Sequence, residues 1–339
     1  MRPFLYERAD DVQSALRAAA PTSQTSIPPT EASAQFIAGG TLLLDLMKLD
    51  TMRPQVLVDI NGLERTHGQI AATAQELRLG ALVRMSQAAE HPDILRDYPL
   101  IAQSLQQAAS AQLRNMASLG GNVLQRTRCQ YFRDPSWPAC NKRAPGTGCS
   151  ALEGVNRKHA VLGINEHCIA EYPGDFGPTL AALGASVETA GPGGARSIPF
   201  ERLHNGPEVP NVETVLAPGE LITGFVVPAG PWTRRSVYLK VRDRQSYAFG
   251  LATAAVALDL SDGVVNEARI GLGGVAYKPW RAHDAEAVLR GKPFDEAIAH
   301  AAAEAAFAGA RAHGENEYKL DLGRRTLVRA LLQAAKLEI

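Results

Sequence analysis

Residues 36–48 read FIAGGTLLLDLMK, and this stretch decides the architecture. Phe36, Ile37 and Ala38 form an apolar run of strand type, Gly39, Gly40 and Thr41 interrupt it, and Leu42 and Leu43 open a segment with helical spacing. Glycines between a strand and a helix leave backbone N–H groups unshielded, and the helix N-terminus adds its own, so the turn suits a phosphate or another anion. Thr41 adds a hydroxyl donor. A second stretch, RNMASLGGN at 114–122, repeats the grammar: Ser118 and Asn122 flank Gly120 and Gly121. Glycine pairs are also ordinary turns and close-packing points. Two loops of one kind in one chain favour a ligand bearing two linked phosphates over two unrelated turns.

Working outward, a strand at Val56–Ile60 completes a β-loop-helix-β unit within residues 1–60, whose first helix starts near Asp10 and ends before Pro21. Residues 21–34, rich in Pro, Ser and Thr, read as a surface loop. Leu77 and Leu79 alternate before the turn at Gly80, and 85–116 reads as helix broken at Pro92 and Pro99. Segments 179–190, 221–228 and 234–241 mix helix and strand signals. From about 232, three strands (236–241, 252–260, 268–275) precede three helices (281–290, 294–310, 324–336), the pattern of helices on one face of an antiparallel sheet. The boundaries expected are 1–60, 61–231 and 232–339, in keeping with 339 residues at about 150 per domain. Gly271-Leu272-Gly273-Gly274 begins like a dinucleotide fingerprint, but Lys278-Pro279 leaves no room for the helix that must follow, so it reads as a strand with close backbone packing.

Lys plus Arg, 35, balance Asp plus Glu, 35, which gives no support to a nucleic-acid or anionic-membrane partner. No apolar run is long enough for a membrane span, and the opening MRPFLYERADD puts charges where a secretory signal needs an apolar core. The chain is thus expected to fold without membrane insertion or an export signal of its own. Phosphate-loop, H-E-x-x-H and G-x-S-x-G signatures are missing from the sequence, which removes the usual marks of nucleotide hydrolysis, zincin and serine-hydrolase chemistry.

All four cysteines, Cys129, Cys140, Cys149 and Cys168, fall within one forty-residue window, a sign of shared purpose. Residues 126–160 carry Arg126, Arg128, Arg133, Lys142, Arg143, Arg157 and Lys158 against Asp134 and Glu153, a net +5 in a neutral chain. Such a surround would offset a thiolate-bound [4Fe–4S] core of charge about −2. Spacing alone does not choose the metal: zinc, two disulfides or thiols buried as small apolar groups answer to the same pattern.

Together FIAGGTLLLDLMK, RNMASLGGN, YPGDFGPTLAALGA (172–185) and RIGLGGVAYKPWRA (269–282) resemble the FAD-binding subunit of molybdenum hydroxylases, the xanthine dehydrogenase and carbon monoxide dehydrogenase group. LQRTRCQYF, ACNKR, GTGC and EHCIA are similar to the cysteine insertion of the bacterial aldehyde oxidoreductase subtype. The resemblance implies an α+β chain: a two-part FAD-binding domain like that of vanillyl-alcohol oxidase, a Cys-rich insertion at about 126–170, and a C-terminal α+β domain like that of carbon monoxide dehydrogenase flavoprotein. It implies that Phe36, Ile37, Ala38, Gly39, Gly40, Thr41, Leu42 and Leu43, with Ser118, Gly120, Gly121 and Asn122, cradle FAD. It places Asp175 in the flavin-contacting set, Lys240 beside the cofactor and Tyr247 or Ala248 near the isoalloxazine ring. By residue type alone, Asp175 would be a helix cap, Lys240 a solvated strand residue and Tyr247 half-buried packing. The four cysteines would hold a [4Fe–4S] cluster.

The function so implied is electron transfer within a molybdenum-dependent aldehyde oxidoreductase. A large subunit holds the molybdenum cofactor and oxidises the aldehyde, a small subunit holds [2Fe–2S] clusters, and this chain passes electrons through FAD to an external acceptor such as ferredoxin or oxygen. No catalytic residue is expected here. The alternative is a free-standing FAD-dependent oxidoreductase with its own substrate pocket. The expected compartment is the periplasm, reached on a partner's twin-arginine signal, with the cytoplasm as the alternative.

Overall fold

The computed structural model describes residues 1–20 and 32–339; most of the loop expected over 21–34 lies outside the described residues. The chain begins with a parallel three-stranded sheet in the order β1 (Leu5–Arg8), β3 (Val56–Asp59), β2 (Ala34–Ile37). α1 (Val12–Ala18) follows β1, capped by Asp11, whose carboxylate accepts from Ser14 N at 2.7 Å while Ser14 Oγ accepts from Asp11 N at 3.1 Å. α2 (Leu43–Lys48) is the crossover from β2 to β3 that parallel neighbours require.

A five-stranded antiparallel sheet comes next, ordered β4 (Ile70–Ala72), β5 (Glu76–Gly80), β8 (Leu221–Pro228), β6 (Ser186–Gly191), β7 (Gly194–Pro199). α3 (Glu64–His67) leads into it, and α4 (Met85–Glu90), α5 (Pro92–Asp97), α6 (Pro99–Gln106) and α7 (Ala111–Met116) follow β5. The breaks at Pro92 and Pro99 occur as expected, each proline opening a new helix where its missing N–H costs nothing. A third break, unforeseen, lies before α7, where Ser110 Oγ caps the helix by accepting from Leu113 N at 3.3 Å. The cysteine segment then holds α8 (Leu119–Val123) at its entrance and only α9 (Gln130–Arg133) within it, and α10 (Phe176–Leu183) closes it.

The third sheet is antiparallel, ordered β12 (Trp280–Arg281), β11 (Val264–Gly273), β10 (Ala252–Ser261), β9 (Ser236–Val241), with α11 (His283–Leu289), α12 (Glu296–Ala306) and α13 (Tyr318–Ala335) after it. Leu327, Leu331 and Ala334 of α13 pack with Ala254, Val256 and Leu258 of β10 in one buried core. On the other side α10, buried at all eight positions, lies between this sheet and the five-stranded one. Its Phe176 meets Phe225 of β8 edge to face at 5.9 Å. A Cβ on Gly271 of β11 would come within 2.0 Å of the Pro178 carbonyl oxygen, so the Gly271–Gly274 stretch is close packing, as its sequence predicts.

One buried cation staples the C-terminal helix to the rest. Lys319 Nζ donates to Glu171 Oε2 at 2.9 Å, Lys158 O at 2.8 Å and Gly274 O at 2.6 Å. Removing one partner of such a pair strands the other charge in the interior, so Lys319→Ala should lower the free energy of unfolding by about 3–5 kcal/mol. The double replacement Lys319→Met with Glu171→Gln should cost less. Urea denaturation of the three proteins checks this, and a single-mutant loss of under about 1 kcal/mol would contradict it.

Candidate functional site

The two glycine loops meet. After β2 the chain turns through Gly39 and Gly40, the latter at φ +69°, a left-handed conformation that favours glycine. A Cβ on Gly39 would lie 1.9 Å from the carbonyl oxygen of Met116, at the end of α7 and the start of the second loop. α2 starts after Leu42 with no side-chain cap; Leu44 N donates to Gly40 O at 3.2 Å, which leaves the N–H groups before it for another acceptor, and Thr41 is exposed beside them. In the second loop, Ser118 Oγ caps α8 by accepting from Gly121 N at 3.3 Å, and Gly120 N donates to Ala81 O at 2.8 Å. Asn122 donates from Nδ2 to Met85 Sδ at 3.3 Å, while its Oδ1 is buried with no donor among the described residues.

Two residues that sequence reasoning missed tie the loops together. Arg84 donates from Nη1 to Met116 O at 2.8 Å and from Nη2 to Asn61 Oδ1 at 2.9 Å, and Asn61 Nδ2 donates to Ala38 O at 3.1 Å. Asn61 carried a usable signal, since Asp59-Ile60-Asn61-Gly62 ends a strand with turn-forming residues and Asn61 N does donate to Asp59 Oδ1 at 2.8 Å. Arg84 carried none.

Asp175 and Lys240 come together as a buried ion pair of 2.8 Å. Tyr238 donates its hydroxyl to Asp175 Oδ1 at 2.7 Å, and Lys240 Nζ also donates to Gln107 O at 3.0 Å. Burial pushes the Asp175 carboxyl up, against the pull of Lys240 and Tyr238. Asp175 occupies the residue before α10 yet makes no side-chain cap. Lys240 is buried rather than solvated. Tyr247 is 58% exposed at φ +51°, an unusual backbone for a residue with a side chain, and Arg244 donates to its carbonyl oxygen from Nε at 3.1 Å.

The expected [4Fe–4S] cluster on Cys129, Cys140, Cys149 and Cys168 is corrected by the structure. The four are free thiols that line one internal cavity of about 10 Å³, space for at most a single water. Among the described residues, no group of three or more His, Cys, Asp or Glu is placed to hold a metal ion. The thiols are engaged otherwise: His159 Nε2 lies 3.2 Å from Cys129 Sγ, and a hydrogen bond between Cys149 and Cys168 pulls the first thiol down and holds the second up. Burial pushes Cys129 up to about 12, which keeps it protonated. Carboxylates outside the segment answer three of the five net charges in the local +5. Glu213 pairs with Arg126 at 2.5 Å and Lys142 at 2.9 Å, Asp45 with Arg133 at 2.8 Å, and Asp243 with Arg157 at 3.3 Å and Lys158 at 3.7 Å. Arg143 donates to the carbonyls of Phe132 at 3.0 Å and Asp134 at 3.1 Å.

Residues 2–230 match the FAD binding domain in molybdopterin dehydrogenase, and residues 237–334 match the CO dehydrogenase flavoprotein C-terminal domain. The chain belongs to this family of oxidoreductase FAD-binding subunits, and its α+β fold is the family's, an FAD-binding-type domain followed by a flavoprotein C-terminal domain. It is 44% identical over 336 residues to the aldehyde oxidoreductase FAD-binding subunit PaoB of Escherichia coli (strain K12), covering 98% of this chain and 99% of that one. It is 26% identical to the carbon monoxide dehydrogenase medium chain of Hydrogenophaga pseudoflava, covering 88% of each. In fold it is similar to quinoline 2-oxidoreductase from Pseudomonas putida 86, with a TM-score of 0.72 at 24% identity over 99% of this chain and 98% of the other. The residues present fit a flavin dinucleotide: an uncapped helix start and a glycine turn suit a diphosphate, and the lone Asn122 Oδ1 suits a hydroxyl-rich or N–H-bearing ligand.

Two expectations follow. Gly39→Ala should lose most of its flavin on gel filtration, because the new methyl drives the loops apart, whereas Gly193→Ala, with open space around it, should keep it; the ratio of flavin to protein absorbance reads both. Burial raises the Glu213 carboxyl, but Arg126 and Lys142 overcome this and hold it down at about 2. A depressed value means that its contribution to stability is whole above the ordinary value of 4.5 and is lost as pH falls towards 2. Glu213→Gln should therefore flatten the acid limb of a melting-temperature profile over that window, and an unchanged limb would contradict the pairing.

Proposed function

We propose that this chain is the FAD-carrying, electron-transferring subunit of a multi-subunit molybdenum-dependent oxidoreductase that acts on aldehydes. Its partners are a large subunit with the molybdenum cofactor, where substrate is oxidised, and a small subunit with [2Fe–2S] clusters. The observation that carries the proposal is the junction of Gly39 with Met116, which sets two glycine loops against each other in a chain of this family. The aldehyde class rests on likeness to the Escherichia coli aldehyde oxidoreductase subunit.

Backbone N–H groups of 39–43, with the Thr41 hydroxyl, bind the diphosphate on one side, and the loop of Ser118, Gly121 and Asn122 bounds it on the other. Gly120, whose N–H is committed to Ala81, sets the loop's approach to its neighbour. Arg84 and Asn61 keep the two loops in register. Asp175, Lys240 and Tyr238 form a buried polar floor whose charges cancel, and Tyr247 covers the open side. When bound, FAD would supply the redox chemistry needed to link the partner's clusters to an external acceptor such as ferredoxin or oxygen. This chain's residues bind, orient and shield it.

The test is copurification under gentle conditions. A tagged chain should bring down one molybdenum-containing large chain and one small ferredoxin-like chain in equal amounts, with aldehyde bleaching the flavin only in the assembled particle. Aldehyde-dependent flavin reduction by the isolated chain would overturn the subunit assignment in favour of a free-standing oxidoreductase.

A further inference from the structure

Six of the seven basic residues in 126–160 have partners already described, and Arg128 is the exception. Its guanidinium lies over the ring of Phe249 with Cζ 4.8 Å from the centroid. Its Nη1 is buried with no hydrogen-bond partner among the described residues. Asp45, a carboxylate whose charge acts on it, is already held by Arg133 through two bonds of 2.8 and 3.2 Å. Arg128 is half-buried, and leaving its one buried N–H group without an acceptor is costly, a cost that an anion arriving later would relieve.

Its surroundings indicate which anion. Asp45 belongs to α2, which starts from the Gly39–Gly40 turn, while Phe249 and Tyr247 belong to the loop after Lys240. Arg128 thus stands between the diphosphate turn and the aromatic side of the site. Backbone N–H groups serve the diphosphate, whose charge is constant. The ring's charge is not: uptake of two electrons and one proton by oxidised FAD leaves one net negative charge at its N1 and C2 carbonyl edge. A planar guanidinium stacked on an aromatic ring matches that edge.

We propose that Arg128 is a positioning residue that receives the negative charge of the reduced flavin ring, and so binds reduced FAD in preference to oxidised FAD. The inference rests on the FAD-subunit assignment above. Its test is a redox titration of the flavin in the assembled enzyme, comparing the natural protein with Arg128→Gln and Arg128→Lys, alongside bound-FAD content and melting temperature. Arg128→Gln should weaken reduced FAD at least tenfold relative to oxidised FAD, a fall of about 30 mV in midpoint for a two-electron couple, and Arg128→Lys should recover part of it. An unchanged midpoint overturns the inference, whether FAD content holds or falls, because a diphosphate or packing role weakens both redox forms equally. If Arg128→Gln does not fold, the Arg128→Lys midpoint decides: a value equal to the natural protein's, with FAD retained, also overturns it. Absence of flavin from the natural enzyme would sink the underlying assignment instead.

Discussion

A carbonyl oxygen resting against an α-carbon that has no side chain is the contact on which the site depends. Met116 O occupies the place a Cβ of Gly39 would take, at 1.9 Å, so only glycine lets the parallel three-stranded sheet bring its turn onto the end of α7. Arg84 locks the junction from the far side by holding the same carbonyl together with Asn61. Met85 N donates to Ala117 O at 2.9 Å and Leu119 N to Val83 O at 2.9 Å, which seats the second loop on the start of α4. With both loops fixed by backbone contacts, the N–H groups proposed to hold the diphosphate are organised before any ligand arrives, and preorganisation of that kind lowers the cost of binding.

The second theme is buried charge resolved at a distance. Lys240 finds Asp175 65 positions away, Lys142 finds Glu213 71 away and Lys319 finds Glu171 148 away. Each pair joins separate parts of the chain: β9 with α10, the cysteine segment with the 213 loop, and the C-terminal helix with the end of that segment. Charges of this sort are poor sources of net stability but severe penalties when broken, so they favour one arrangement of the three sheets over looser alternatives. Two arginines of the segment stand outside the scheme: Arg143 is held by backbone carbonyls, and Arg128 lies over the Phe249 ring.

Much of this was legible locally. The strand-glycine-helix grammar at 36–48, the proline breaks at 92 and 99 and the close-packed glycines at 271–274 are all set by neighbours in sequence, and each appears where it was read. The pairing of Asp175 with Lys240 was not legible from residue type, which favours a cap and a solvated lysine; resemblance grouped them, and only the fold, which sets the residue before α10 beside Lys240 of β9, shows that they touch. The cysteine segment failed for the same physical reason. Counting charge over 126–160 treats the segment as isolated, while Asp45, Glu213 and Asp243 reach it through the fold and offset three of its five net positive charges. The spacing of the thiols likewise says nothing of the cavity they enclose, which is about 10 Å³. Arg84 lay beyond any local rule, because its two acceptors sit 23 and 32 residues away.

The most direct measurement is a density map of the chain with FAD bound. The account predicts both phosphates between residues 39–43 and 118–122, the ring towards Tyr247, and the Gly39–Met116 contact intact. Phosphates lying away from either loop, or a Gly39 turn displaced from Met116 to admit the ligand, would contradict it.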